Sequence, residues 1–146
     1  MSTGLLKKEN ILLDSNLEIK EEVIKSLAEK LYEEGIITDF EGFLKDIYTR
    51  EEMDNTAVGF DVAIPHGKSK WITEARLAFS RLTKKINWGD EEEYVKFIFL
   101  IAVPENEAGK HIEVLAGLSK KILDDKFRKK LETADIEEVL QLINEK

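Results

Sequence analysis

The first apolar pattern along the chain has the period of an amphipathic helix. Large apolar residues recur every four positions on one face: Ile19, Val23, Leu27 and Leu31. Ser15 and Glu18 stand just before this run at the spacing of a capping box, and Gly35 follows it as a residue that commonly ends helices. The pattern therefore predicts a helix of about 17 residues that reaches to Gly35.

A second and shorter helix is predicted by the next group of apolar residues. The residues that share its face are Phe40, Phe43, Leu44 and Ile47. The charged segment Thr49-Arg50-Glu51-Glu52 follows this helix. The segment Ile36-Ile37-Thr38-Asp39 is interpreted as the connection between the two helices.

The middle of the chain changes to apolar runs that are typical of β-strands. Residues 58–64, 75–82 and 94–103 are rich in Val, Ile, Phe and Ala, and each run is bounded by Gly, Pro or charged turns. The third run is apolar at nearly every position rather than at every second one. Because such a strand is buried on both sides, we expect it at the centre of a sheet that is covered on both faces.

Two further helices are predicted after this central strand, and they can cover the sheet. In residues 109–123 the apolar face holds His111, Leu115 and Leu118, with Val114 and Ile122 nearby. Residues 136–143 form the last predicted helix. We therefore expect residues 1–146 to form a single-domain α/β sandwich, in which helices cover both faces of a mixed, mostly parallel sheet.

Length and composition are those of an ordinary globular protein. Of the 146 residues, 42% are apolar and 36% are charged. No apolar run approaches the roughly 20 residues that span a bilayer, and the opening residues MSTGLLKKEN lack the apolar region of a signal peptide. We expect a cytoplasmic protein with no direct membrane insertion.

The charge and the cysteine content exclude several classes of function. A formal net charge of −8 argues against nucleic-acid binding, which requires clustered Lys and Arg, and it favours a basic protein partner. The chain has no cysteine, so disulfides, thiolate zinc sites and cysteine nucleophiles are excluded together. Covalent chemistry must therefore use His, Ser, Thr or a carboxylate.

The most informative local feature is the pentapeptide Ala63-Ile64-Pro65-His66-Gly67. Pro65 restricts its own backbone and pushes Ile64 into an extended conformation, while Gly67 lets a partner backbone or a phosphate approach closely. His66 follows an apolar strand, so this turn presents its side chain outward. A histidine presented in this way is a candidate for chemistry, although a lone loop histidine that only makes hydrogen bonds is the common alternative.

The second histidine, His111, is predicted to open the helix that follows the central strand. It would lie in the first turn of that helix, at the carboxyl edge of the sheet. If the strands before His66 and His111 are parallel neighbours, the two side chains meet where open α/β sheets place their sites. A helix-surface or partly buried histidine without a role is the alternative interpretation.

These features together suit a phosphohistidine site. A helix N-terminus stabilises a nearby anion by about 1 kcal/mol, which changes its occupancy about fivefold and cannot drive a reaction by itself. An imidazole with a reference pKa near 6.5 is largely neutral at pH 7, so it can attack phosphorus without prior deprotonation. A histidine beside a helix N-terminus therefore combines a nucleophile with an anion site.

Motifs of other kinds of functional site match the sequence less well. Gly67-Lys68-Ser69 resembles the end of a P-loop, but the first glycine of that motif would stand at position 62, which is Val62. A metal site built from His66, His111 and Asp61 is conceivable, although the chain has no HExxH or other recognised ligand spacing. No G-x-S-x-G occurs, so Ser-His-Asp hydrolysis is weaker still.

The segment from Arg50-Glu51 through TAVGFDVAIPHGKSK closely resembles the enzyme IIA proteins, of the fructose and mannitol type, of the bacterial phosphoenolpyruvate-dependent sugar phosphotransferase system. That family shows R-E, then T-G-x-G-x-G-x-A-x-P-H-G, an aromatic-Gly-acidic turn like Trp88-Gly89-Asp90, an apolar strand, and a histidine that opens a helix. The matching residues are Arg50, Thr56, Gly59, Ala63, Pro65, His66, Gly67 and His111. Ala57 and Asp61 stand where the pattern often has glycine.

The resemblance implies a phosphotransferase without a cofactor or metal. His66 would accept a phosphoryl group from the histidine-containing phosphocarrier protein and pass it to a cysteine of a cognate enzyme IIB, which serves the membrane component enzyme IIC. His111 and Arg50 would orient or neutralise the phosphoryl group, and Thr56 and Gly67 would support the site. Asp61 would bond the other ring nitrogen of His66, meet a basic residue of the carrier, or lie solvated in a turn.

The resemblance also leaves alternatives open. Fructose is the expected sugar, although this domain contacts proteins and a phosphoryl group rather than sugar. The second candidate is a regulatory protein of the same fold, similar to the nitrogen-related enzyme IIA proteins, whose phosphorylation state controls a binding partner. The third, a metal-dependent hydrolase, needs a set of ligands that the sequence does not provide.

Overall fold

The computed structural model describes residues 5–89 and 91–144. Within these ranges the strands are β1 (Leu6–Ser15), β2 (Ala57–Gly59), β3 (Val62–Ala63), β4 (His66–Ser69), β5 (Arg76–Asn87) and β6 (Tyr94–Pro104). The helices are α1 (Lys20–Glu33), α2 (Phe40–Met53), α3 (Ala108–Ile122), α4 (Asp125–Leu131) and α5 (Ile136–Asn144).

The strands form one mixed sheet with β6 at its centre, as its continuous apolar run predicts. The order is β1-β5-β6-β3-β2, with β4 also paired to β6. The pairs β1/β5, β3/β6 and β4/β6 are parallel, whereas β5/β6 and β2/β3 are antiparallel. The predicted mixed α/β architecture is therefore confirmed.

Strands β3 and β4 are two parts of one line along β6. Ala63 pairs with Ile98 and His66 pairs with Ile101, so the register continues across the interruption. Pro65 lies at this interruption and has no N–H to donate to a ladder, but its carbonyl still accepts from Ile101 N at 3.0 Å. The backbone therefore stays in line with β6 where it reaches His66.

Helices cover both faces of the sheet and enclose two separate apolar cores. One core packs α3, α4 and α5 against side chains such as Phe79, Phe97 and Phe99. The other packs α1 and α2 against the opposite face, around Leu82 and Trp88. Strand β6 contributes to both cores, and this explains why nearly all of its positions are apolar.

The start of the chain differs from the prediction. Helix α1 begins at Lys20 and has no side-chain cap, so the predicted capping box is wrong. Ser15 ends β1 instead, and its Oγ accepts from Leu17 N at 3.4 Å. Strand β1 was not predicted because it is an edge strand with a shift of register between Leu6 and Ile11, so its apolar positions do not alternate regularly.

Three other elements also depart from the sequence interpretation. The predicted strand over residues 58–64 is a short hairpin of β2 and β3 that turns at Phe60 and Asp61. Helix α4 has only seven residues and was not predicted. Helix α2 continues through the charged segment after Ile47, because that segment still buries Glu51.

No helix within the described residues is long and apolar enough to cross a bilayer.

Candidate functional site

His66 opens β4 rather than lying in an exposed loop. Its backbone is paired with Ile101 of the central strand, and its side chain is half-buried. The residues before it, Ile64 and Pro65, are buried. The prediction that the Pro-His-Gly turn presents an exposed loop histidine is therefore wrong in this respect, because the sheet itself holds the backbone of His66.

One ring nitrogen of His66 is already occupied. Its Nδ1 lies 2.6 Å from the carbonyl oxygen of Ile64. Because a carbonyl oxygen can only accept, Nδ1 carries the proton and donates, which leaves Nε2 with its lone pair. The ring is thus held in the tautomer that has a free nucleophilic nitrogen.

His111 lies beside His66, as predicted for histidines that follow parallel neighbouring strands. His111 is the fourth residue of α3, and the two ring centroids are 5.1 Å apart. Within the described part of the chain, its Nε2 is buried and has no hydrogen-bond partner. A buried nitrogen of this kind is available to a group that enters the site between the two rings.

Two cationic side chains add positive potential to the histidine pair. Arg50 lies in the last turn of α2, where its Nη1 donates to the carbonyl oxygen of Asp54 at 2.6 Å. Its charge acts on both His66 and His111, and the charge of Lys68 also acts on His111. This positive potential favours the binding of an anion beside the two histidine rings.

Both imidazoles are kept neutral near pH 7. Burial lowers the pKa of His66, and Arg50 lowers it further, while the hydrogen bond to Ile64 and the charge of Glu51 oppose the shift. Burial also lowers the pKa of His111, with added contributions from His66, Lys68 and Arg50. A neutral His66 is the form that can act as a nucleophile.

Gly67 lies where α2 packs directly on β4. A Cβ at this position would stand 3.0 Å from Cδ1 of Ile47. The glycine therefore lets helix and strand approach closely. This packing is a structural reason for glycine at position 67, in addition to the access that it gives to a partner.

A buried carboxylate, Glu51, organises the region next to Arg50. Its oxygens accept from Lys20 Nζ at 2.8 Å, from Trp88 Nε1 at 3.2 Å and from Thr56 N at 3.2 Å, and they also bond Thr56 Oγ1. Thr56 is thus a partner of Glu51 within this region. The sequence interpretation noted Glu51 only as part of the R-E pair, since nothing local indicates its burial.

Asp61 lies in the β2–β3 turn with a φ of 63°, a conformation that glycine adopts most easily. Its carboxylate pairs with Lys85 at 3.1 Å. The suggested bond from Asp61 to the ring of His66 is not formed, because Ile64 holds that nitrogen. The family glycine at this position is thus explained by backbone conformation.

Among the described residues, no three His, Cys, Asp or Glu side chains lie close enough together to hold a metal ion. Asp90, the last residue of the aromatic-Gly-acidic turn in the sequence motif, lies outside the described residues.

Comparison with protein families gives one match over almost the whole chain. The family described as "Phosphoenolpyruvate-dependent sugar phosphotransferase system, EIIA 2" matches residues 4–146. The "PTS system 2-O-alpha-mannosyl-D-glycerate-specific EIIABC component" of Escherichia coli is 33% identical over 99% of this chain, and the match covers 22% of that protein. The chain therefore spans about a fifth of the length of such curated relatives. The "PTS system fructose-like EIIA component" of Escherichia coli is 32% identical over 84% of both chains.

Solved structures give the same result for the fold. The nitrogen regulatory protein IIA-Ntr from Neisseria meningitidis superposes with a TM-score of 0.88 at 29% identity, covering 96% of this chain and 97% of that one. Enzyme IIA mannitol of Escherichia coli, solved in complex with phosphorylated enzyme IIB mannitol, gives 0.82 at 28% identity, with coverage of 95% and 98%. Both superpositions extend over almost all of each chain.

Proposed function

The chain belongs to the EIIA 2 family of the phosphoenolpyruvate-dependent sugar phosphotransferase system, and from this premise we propose that it is a phosphoryl carrier that works through His66. The observation that carries the proposal is the tautomer of His66, in which Nε2 keeps its lone pair. Nδ1 is bonded to Ile64, and the ring stands 5.1 Å from that of His111, within reach of the charge of Arg50.

In the first step, Nε2 of His66 attacks the phosphorus of a phosphohistidine on the donor protein. A new P–N bond forms to Nε2 while the donor P–N bond breaks, and the donor nitrogen leaves with its electron pair. The imidazole of His66 becomes cationic as it is phosphorylated. The carbonyl of Ile64, which accepts from Nδ1, stabilises that charge and keeps the ring in position.

The surrounding groups stabilise the phosphoryl oxygens during transfer. Arg50, whose charge acts on both histidines, neutralises charge that spreads over the oxygens in the transition state. His111 lies in the first turn of α3 with its ring 5.1 Å from that of His66, so its unpartnered Nε2 is available to an anion on His66. In the second step, the thiolate of an acceptor cysteine attacks the phosphorus, and Nε2 recovers its electron pair.

The expected donor is the histidine-containing phosphocarrier protein, and the expected acceptor is a cysteine of an enzyme IIB that serves a membrane enzyme IIC. The IIA–IIB mannitol complex among the similar structures supports this acceptor. The chain itself has no cysteine, which is consistent with a division of the two steps between proteins. We propose fructose as the sugar, supported by the fructose-like relative, and a cytoplasmic location.

A regulatory role is the second candidate, and one observation favours it. The superposition on the nitrogen regulatory protein IIA-Ntr covers nearly the whole of both chains. In this role the chemistry at His66 is the same, but phosphorylation controls binding to a target protein instead of feeding a cysteine.

The test is a phosphorylation assay with phosphoenolpyruvate, enzyme I and the phosphocarrier, followed by addition of the candidate enzyme IIB. We expect one phosphoryl group on His66, none on the His66→Ala variant, and one on His111→Ala, which is the matched histidine control. Loss of the label to the enzyme IIB cysteine supports the transport role, whereas label that stays on His66 supports the regulatory one. Full phosphorylation of a folded His66→Ala variant would exclude the proposed carrier.

A further inference from the structure

The packing of α2 on β4 connects the two elements that carry Arg50 and His66. Ser69, at the end of β4, is only 2% exposed, and its Oγ donates to Asp46 Oδ2 at 2.7 Å. Next to Asp46 along α2, Ile47 lies in close contact with Gly67. These contacts form a continuous seam between helix and strand.

The seam has a consistent direction. Going along α2, Asp46 bonds Ser69 and Ile47 lies against Gly67, so the helix runs toward the His66 end of β4. Arg50 follows in the same direction, and its charge acts on His66. Asp46 and Arg50 are four residues apart, so they lie on the same face of the helix. The hydrogen bond from Ser69 to Asp46 therefore ties to β4 the same face of α2 that carries Arg50.

Ser69 is itself rigidly held, so it can transmit position to the helix. Its Oγ accepts from Trp71 N at 3.2 Å, and its carbonyl oxygen accepts from Ile72 N at 3.3 Å and from Glu105 N at 3.2 Å. It also pairs with Pro104 of the central strand. Asp46 is consequently bonded to a fixed point of the sheet, and α2 is aligned to that point.

We propose that Asp46 and Ser69 are positioning residues for phosphoryl transfer, which hold the guanidinium of Arg50 at its working distance from His66. The role rests on the proposed function, because Arg50 and His66 have the parts assigned to them above. In this role Asp46 and Ser69 act on Arg50 and not directly on the phosphoryl group. They act through the placement of α2 on β4.

The test is a double-mutant cycle that combines Ser69→Ala with Arg50→Ala, read by the rate of phosphoryl transfer from the carrier. Ser69→Ala alone should slow transfer about tenfold, within the hundredfold that a misplacement of about 1 Å can cost. In the Arg50→Ala background the same change should have little further effect, because the residue that it positions is absent. Asp46→Ala should resemble Ser69→Ala, while Asp46→Asn, whose amide oxygen can still accept, should restore most of the rate.

Ser80→Ala is the matched control, since Ser80 is completely buried on β5 and its Oγ has no hydrogen-bond partner within the described residues. It removes the same hydroxyl from another strand of the same sheet and breaks no side-chain hydrogen bond to α2 within the described residues, so its transfer rate should equal that of the parent. An equal slowing by Ser69→Ala with and without Arg50 would overturn the proposal, and so would an equal slowing by Ser80→Ala.

A titration of His66 by NMR separates this proposal from the proposed function. Arg50 lowers the pKa of His66, so a displaced Arg50 should raise that pKa in Ser69→Ala and leave it unchanged in Ser80→Ala. If the parent protein is not phosphorylated at His66, the proposed function fails, yet this titration still tests the positioning. A His66 pKa that is the same in Ser69→Ala and in the parent would then exclude the positioning role of Ser69.

Discussion

Replacing the buried carboxylate of Glu51 by an amide is expected to cause a large loss of stability. Glu51 is 7% exposed, and its side chain pairs with Lys20 at 2.8 Å. The variant Glu51→Gln keeps the shape of the side chain and removes its charge. Lys20 is then left without its counterion, in a site where its side chain is only 16% exposed.

The expected magnitude follows from this geometry. Breaking a fully buried ion pair by removing one partner costs about 3–5 kcal/mol, whereas a hydrogen bond to a charged group contributes about 1.5–3 kcal/mol. Lys20 keeps a bond to the carbonyl oxygen of Trp88 at 3.1 Å and some contact with water. We therefore expect a loss smaller than that of a fully buried pair, about 2–3 kcal/mol in the free energy of unfolding, which corresponds to roughly 5–10 °C in Tm.

The assay is thermal and urea unfolding of the parent, Glu51→Gln, Lys20→Met and the double variant. In the double variant the charges are removed together, so its loss should be clearly smaller than the sum of the two single losses. The matched control is Lys30→Met, since the Lys30–Glu33 pair is exposed and 3.8 Å long and should contribute less than about 0.5 kcal/mol. If Glu51→Gln melts within 1 °C or so of this control, the buried network does not stabilise the fold as argued.

Three further outcomes are expected. His111→Ala should still accept a phosphoryl group on His66 but transfer it about ten to a thousand times more slowly, as for the loss of one electrostatic donor; a destabilised variant with parental rates would remove His111 from the mechanism. Because the pKa of His66 is lowered, neutral His66 should persist below pH 6.5, and the rate of phosphorylation should fall only as the pH drops through the lowered pKa. In Arg50→Ala the midpoint of this pH profile should move upward. A midpoint at or above 6.5 in the parent protein contradicts the argument. The net charge of −8 should steer the protein to a basic carrier face, so association should slow as salt rises, and a rate that is independent of ionic strength would indicate a mainly apolar interface.

The elements predicted correctly from sequence are those whose signal is local. The helical spacing of apolar residues in α1, α2, α3 and α5 and the apolar run of β6 depend on neighbouring residues within one element, so period and length are sufficient to recognise these elements. Strand β1 and helix α4 could not be recognised in this way. The first is an irregular edge strand, and the second is too short to repeat a pattern.

For the candidate site, the sequence determined the residue types and the topological reason for their meeting. Two histidines that follow strands were expected to lie together if the strands are parallel neighbours. The parallel pairing of β3 with β6 and the ring separation of 5.1 Å bear out that placement. The chemical roles of His66, His111 and Arg50 stay predictions until the transfer assays are done.

Only the tertiary structure decided which partners each polar group has. Glu51 is adjacent to Arg50 in sequence, but its carboxylate bonds Lys20 and Trp88, 31 and 37 positions away from residue 51. The tautomer of His66 depends on a contact nearer in sequence, because the carbonyl oxygen of Ile64, two residues before it, lies against Nδ1, and a pattern of apolar positions does not report that geometry. A periodic pattern reports which face of an element is buried, whereas a hydrogen bond between distant segments depends on the packing of helix against sheet, which no local pattern encodes.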